Sequence, residues 1–199
     1  MSDLIQEIRN LHVMVALPRE QSADELIQQV NRIGCQVEHL WPLPDTLLEK
    51  FDLVFLDVTD QNAERLNRFI NSSKSSQTIV AVLGYENPSV LELILEIKAH
   101  SVLNKPVRAS GVMTSMLLAR KIQAERLLHS KAMKALKDKL ENVQKVNDAK
   151  FVLMRHRGVN EREAYDLIRK QAMAKRATTA DIAQAIINAE SILSDFGGS

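Results

Sequence analysis

Leu53-Val-Phe-Leu-Asp57-Val58 is an unbroken apolar run interrupted only by a carboxylate near its end. Such a continuous run, rich in β-branched and aromatic residues, reads as a strand of a parallel sheet covered on both faces. Leu11-His-Val-Met-Val-Ala-Leu17 and Thr78-Ile-Val-Ala-Val-Leu83 read the same way, with Gln36-Val-Glu-His-Leu-Trp41 and Ser101-Val-Leu-Asn104 as shorter members of the set. Helical patterns lie between them. Ser22-Ala-Asp-Glu25 has capping-box spacing and opens a helix that carries Leu26, Val30 and Ile33 on one face and stops at Gly34. Residues 63–73 and 88–99 predict two more helices, the second with Pro88 at its start. Strand–helix alternation at this spacing predicts an α/β fold, a doubly wound parallel sheet whose sites lie at the carboxyl ends of its strands.

Composition bounds the rest. The chain has 199 residues, 45% of them hydrophobic, which suffices for a core and allows one large domain or two small ones. A single cysteine, Cys35, excludes an internal disulfide framework and any site built on several thiolates. The cytoplasm is the compartment this predicts, and no basic segment followed by an apolar stretch marks a secretory signal. His12, His39, His100, His129 and His156 are scattered without metal-ligand spacing. There is no glycine-rich phosphate loop or nucleophile elbow. The reading is therefore of a non-enzyme with no cofactor, no metal site and no catalytic residues. Cys35, behind Gly34 in an apolar setting, reads as a buried structural thiol.

Charge is unevenly distributed. The total of 26 Lys+Arg against 25 Asp+Glu gives a net +1, yet residues 1–107 hold 9 basic and 15 acidic residues, and residues 108–199 hold 17 and 10. Opposite halves suggest modules with different partners.

At the predicted strand ends stand Asp57, Gly84 and the pair Lys105-Pro106. This pattern resembles the receiver domain of bacterial response regulators, which places a phosphoacceptor Asp after the third strand and Lys-Pro after the fifth. Receivers also set an acidic pair behind the first strand to hold Mg²⁺, a cation that demands hard oxygen ligands. Here that place reads Ala16-Leu17-Pro18, and Gly84 stands where receivers carry Ser or Thr. The expectation is a receiver-like (flavodoxin-like) domain without phosphotransfer. Asp57 and Lys105 would be a vestigial phosphoacceptor site, Asp57 a remnant or a capping group, and Lys105-Pro106 a turn after an edge strand.

From residue 109 to about 156 there is no proline and one glycine, Gly111. Met133, Leu136, Leu140, Val143 and Asn147 step by 3, 4, 3 and 4, which is a heptad seam, and Phe151 and Met154 continue it. At ~1.5 Å per residue such a helix spans about 70 Å, too long to bury its stripe within a small domain. A two-stranded coiled coil between two copies is the predicted outcome, with Asn147 as a register-setting polar position. A hairpin folded back on its own domain is the alternative.

The last fifty residues predict a helical bundle. Gly158 ends the long helix, and Asn160 caps a second with Glu161 and Glu163 in its first turn. Ala164, Leu167, Ile168 and Ala172 form its apolar face. Thr178 or Thr179 caps a third helix with Ile182, Ala183, Ile186 and Ile187 inward. Residues 150–177 hold eight basic residues against three acidic ones, the strongest polyanion footprint in the chain.

The spacing Ala149-Lys150, Leu153-Met154, Gly158, Glu163-Ala164-Tyr165, Leu167, Arg169, Ala172 and Asp181-Ile182-Ala183 resembles the ANTAR family of RNA-binding transcription antiterminators. The family commonly has Ala-Lys-Gly where this chain has Ala149-Lys150-Phe151, and Phe151 is expected to bury surface between helices. The resemblance implies domains at residues 1–108 (receiver-like), 109–147 (coiled-coil helix) and 148–199 (ANTAR, its first helix continuous with the coiled coil from about 136). It also implies RNA contacts from Lys150, Arg155, Arg157, Tyr165, Arg169, Lys170 and Arg176 with paired leader stem-loops. Tyr165 could stack on a base or pack in the core. Arg32-Ile-Gly-Cys-Gln-Val37, Trp41-Pro-Leu-Pro44 and Tyr85-Glu-Asn-Pro-Ser-Val-Leu91 extend the likeness to the ANTAR regulators of bacterial aliphatic-amidase operons. That subfamily implies a ligand-sensing negative regulator of periplasmic-binding-protein fold as a partner, with release by a small amide. A DNA-binding response regulator with a helix-turn-helix tail is the competing reading. Against it, residues 178–193 contain no Arg or Lys, a poor composition for a major-groove reader.

Overall fold

The computed structural model describes residues 2–46, 48–72 and 77–196. They form two compact units, residues 1–128 and 129–199.

The first unit is a five-stranded parallel sheet of β1 (His12–Ala16), β2 (Gln36–His39), β3 (Leu53–Asp57), β4 (Thr78–Leu83) and β5 (Ser101–Asn104), in the order β2-β1-β3-β4-β5. That order is the flavodoxin-like doubly wound topology, with its switch point between β1 and β3. The helices are α1 (Ser2–Arg9), α2 (Gln21–Ile33), α3 (Ala63–Asn71) and α4 (Pro88–Glu96), joined by the start of α5 (Ala109–Arg157). The central strands β3 and β4 are buried at every position, which is why they lack polar alternation. One sheet face packs Val13, Val15, Phe55 and Val82 against Leu26 and Val30 of α2 and Val112, Met116 and Ala119 of α5. The other packs Met14, Val54, Leu56 and Ala81 against Leu66 and Phe69 of α3 and Val90 and Leu93 of α4.

Several expectations shift. α2 starts at Gln21 with Glu20, not Ser22, as its N-cap residue, so the Ser22 capping box does not form; extended backbone at Glu20 sets the boundary instead. Gly34 ends α2 at φ 107°, a left-handed conformation suited to glycine. A 3₁₀ turn, Asp60–Asn62, precedes α3, and Ser73 lies outside the described residues. The helix α1 has no counterpart in the sequence reading; its Ile8 is buried against the sheet. Residues 109–123 of α5 supply core side chains, so the receiver-like unit extends past residue 108. Cys35 is buried, its thiol donating to the Ile8 carbonyl at 3.0 Å, and burial pushes its pKa up. No helix among the described residues is long and apolar enough to cross a membrane.

In the second unit, the remainder of α5 is followed by α6 (Glu161–Lys175) and α7 (Thr179–Phe196). Every residue from 124 to 144 of α5 is exposed.

Candidate nucleic-acid interface

Ala149 of α5, Ile168 and Ala172 of α6, and Ile182 and Ala183 of α7 form the buried core of the second unit, with Val146, Leu153, Ile186 and Ile187 against it. Three of those five are alanines, so the helix backbones approach closely. Both turns are closed by reciprocal caps. Asn160 accepts from the Glu163 N–H at 2.9 Å while Glu163 accepts from the Asn160 N–H at 3.0 Å. The Thr178 hydroxyl accepts from the Asp181 N–H at 3.1 Å, and the Asp181 carboxylate accepts from the Thr178 N–H and hydroxyl. Those bonds hold the Asp181 pKa below its ordinary value. Gly158 takes the left-handed turn after α5 at φ 65°.

This scaffold divides the basic residues into two groups. Lys150 donates to Glu161 at 2.6 Å, and that bond and charge lower the Glu161 pKa. Arg155 and His156 both pair with Glu190 of α7. Arg157, Arg169, Lys170 and Arg176, together with Arg162 and Lys175, have no carboxylate partner among the described residues.

On α6 the unpaired side chains are ordered. Arg162, Tyr165 and Arg169 recur at i, i+3 and i+7, within roughly 60° of the helix circumference at 3.6 residues per turn, and Arg176 is the left-handed residue just past the helix end. All four are exposed. Tyr165 is 43% exposed, so it is not a core residue. It stands between two arginines one turn away on either side. Lys170 projects one residue step round the helix, away from this stripe. The charge count of the tail includes Arg162 without singling it out; its three-residue spacing from Tyr165 is the signal that marks it. Phe151 is 67% exposed and does not pack between the helices, because its position on α5 faces away from the alanine-lined contact. Beside Tyr165, a cleft of about 330 Å³ opens between α5 and the starts of α6 and α7, lined by Asn142, Val143, Asn147, Lys150, Tyr165 and Thr179. The seam residues Met133, Leu136, Leu140 and Val143 are 58–68% exposed.

In the first unit, Lys105 Nζ sits 2.6 Å from Asp57 Oδ1 and 2.5 Å from Glu20 Oε1. Burial alone would lower the Lys105 pKa; hydrogen bonds to Asp57 and Glu20 outweigh it and hold the pKa above its ordinary value. The Asp57 carboxylate is thus an ion-pair partner and caps no helix; Asn62 Nδ2 donates to its backbone carbonyl instead. Glu20, absent from the sequence reading of this site, fills the side of the crevice where Ala16-Leu17-Pro18 supplies no carboxylate. Among the described residues no cluster of three or more His, Cys, Asp or Glu could hold a metal ion.

A receiver-type front and a three-helix basic tail define a two-module regulator. The model of the AmiR N-terminal family matches residues 11–120, and that of the ANTAR domain matches residues 134–187. The chain belongs to this family. It is 30% identical to the aliphatic amidase regulator of Pseudomonas aeruginosa over 190 residues, covering 95% of this chain and 97% of that protein. Among solved structures it is similar to a CheY-like response regulator receiver domain from Methanospirillum hungatei JF-1, with 17% identity and a TM-score of 0.49 over 59% of this chain and 98% of that one.

Proposed function

We propose that this regulator acts as a dimeric RNA-binding antiterminator, its α6 stripe gripping exposed loops of paired stem-loops in a leader transcript so that the terminator hairpin does not form. The observation that carries the reading is the alternation Arg162–Tyr165–Arg169 on an exposed helix face, with Arg176 exposed just past the helix end, cations for phosphates interleaved with a ring for bases. Loops are the favoured target because A-form grooves hide base edges. Arg157, Lys170 and Lys150 flank the stripe, and Arg155 joins if its pair with Glu190 opens.

Two copies pair along Met133, Leu136, Leu140 and Val143, whose exposure within one chain leaves a heptad seam for a second helix, and the heptad spacing runs on to the half-buried Asn147. Two tails on one dimer engage two loops, raising affinity through effective concentration. Control comes from a ligand-sensing negative regulator of periplasmic-binding-protein fold that releases the chain when a small amide binds. The target is an amidase-type operon and the compartment the cytoplasm. The Pseudomonas relative, an aliphatic amidase regulator, supports the operon class. Phosphorylation is not the trigger: Lys105 is already ion-paired to Glu20, and the first strand ends without a carboxylate pair.

The test compares a two-stem-loop RNA with duplex DNA of equal length at one salt concentration. The reading expects preference for the RNA and a loss in Arg169→Ala with folding intact. Equal binding to both polymers would refute it.

A further inference from the structure

Resting on the RNA-binding reading, we propose that the cleft beside Tyr165 admits one unpaired nucleobase, with Tyr165 as its stacking face and the Asn147 side-chain amide as the group that reads its edge. Three observations converge here. The cleft, at about 330 Å³, has room for a base and opens beside an aromatic ring already 43% exposed. Asn142, Asn147, Tyr165 and Thr179 line it, and their side chains make no hydrogen bond to another described residue, which leaves their donors and acceptors available to a ligand. Lys150, at the same cleft, is held in place by its 2.6 Å bond to Glu161 and so forms a fixed part of the cleft wall. An amide presents one donor and one acceptor side by side, the pattern that distinguishes base edges.

The proposal changes the role of Asn147. Its heptad position makes it a register-setting residue of the seam, yet its side chain is half-buried in the cleft while the four upstream seam residues are open. The two roles give different results. Register-setting moves oligomeric state; base reading moves selectivity.

The experiment uses the full chain and a hairpin selected from a pool with randomised loops. Each loop base is removed in turn as an abasic nucleotide, and affinities are measured for the unsubstituted protein, Asn147→Ala, Tyr165→Phe and Tyr165→Ala. One position is expected to lose about fivefold or more on base removal, the low end of base–aromatic stacking. Asn147→Ala and Tyr165→Ala are each expected to weaken the intact loop, to have no further effect on that abasic loop, and to leave the oligomeric mass unchanged, while Tyr165→Phe retains most of the affinity. Equal losses on intact and abasic loops, or a change of mass in Asn147→Ala, would overturn the cleft assignment. Tight hairpin binding with every abasic position neutral would overturn it alone, whereas no preference for any hairpin over duplex DNA would remove the RNA reading and the cleft with it.

Discussion

Lys150 of α5 and Glu161, the first residue of α6, are joined by a 2.6 Å ion-paired hydrogen bond beside the cleft that Tyr165 borders. The pair neutralises a cation in the most basic part of the chain. Glu161→Gln leaves Lys150 free to meet a phosphate. The salt dependence of RNA binding is then expected to steepen by about 0.7 in log–log slope, one extra phosphate contact on a single strand. Titration between 50 and 200 mM salt, on the order of the range where such slopes are resolved, measures it; an unchanged slope would show that Lys150 does not reach the RNA.

Arg169 and Lys170 are sequence neighbours pointing in different directions from α6. Arg169→Ala is expected to weaken hairpin binding by about 1–3 kcal/mol, the range of a good side-chain contact to nucleic acid, with the thermal transition unmoved. Lys170→Ala is expected to cost less, because it lies off the stripe. Fluorescence anisotropy with a labelled hairpin separates them, and equal losses would argue for a diffuse basic surface in place of an ordered one.

The seam makes its own prediction. Leu136→Glu with Leu140→Glu places charges where two helices would meet, and the chain is expected to become monomeric at concentrations where the parent is dimeric. Affinity for a two-loop transcript should fall towards that for a single loop, since the second engagement loses its effective concentration. Light scattering with binding measured in parallel reads both effects.

The small-residue core of the second unit is thin, so one cavity matters. Ile168 is fully buried against Ala149 and Ala183. Ile168→Ala is expected to cost about 2–5 kcal/mol. The tail helices should melt early while the transition of residues 1–128 stays in place, as seen by calorimetry.

His100 provides the pH dependence. Its backbone N–H donates to the Ile79 carbonyl at 2.8 Å, and its Nδ1 accepts from the Ile79 N–H at 3.0 Å, a pairing that needs the neutral ring. Burial and then the Arg126 charge lower its pKa, against a side-chain hydrogen bond with Gln123 that raises it. A folded-state pKa below the unfolded value means the unfolded chain takes up the proton first. The contribution is therefore complete above about pH 6.5, the unperturbed value, and is lost as pH falls below it. Melting temperature measured from pH 7.5 to 5 should fall less in His100→Asn than in the parent; parallel curves would exclude His100 as the titrating group.

The strands were readable because parallel sheet buries both faces: β4 and β5 begin and end at the residues their apolar runs mark, and β3 differs only by Val58. The tail caps were readable because Asn160 and Glu163 stand three apart. The α1 helix was not, since its stabilising contact, Ile8 against the sheet, is tertiary. Ser22 offered the same three-residue signal as Asn160, but extended backbone at Glu20 starts the helix earlier. In the candidate interface, linear charge counting could not see that Glu161 and Glu190, from neighbouring helices, claim Lys150, Arg155 and His156. Nor could it see Glu20 reaching a lysine 85 positions away.

The most direct measurement is the affinity of the full chain for a transcript carrying two stem-loops, set beside the same transcript with one loop closed into duplex, at a single salt concentration. Two tails reading two loops predict a drop of about a hundredfold or more when one loop is closed, at the low end of what effective concentration supplies. Indistinguishable affinities would contradict the account.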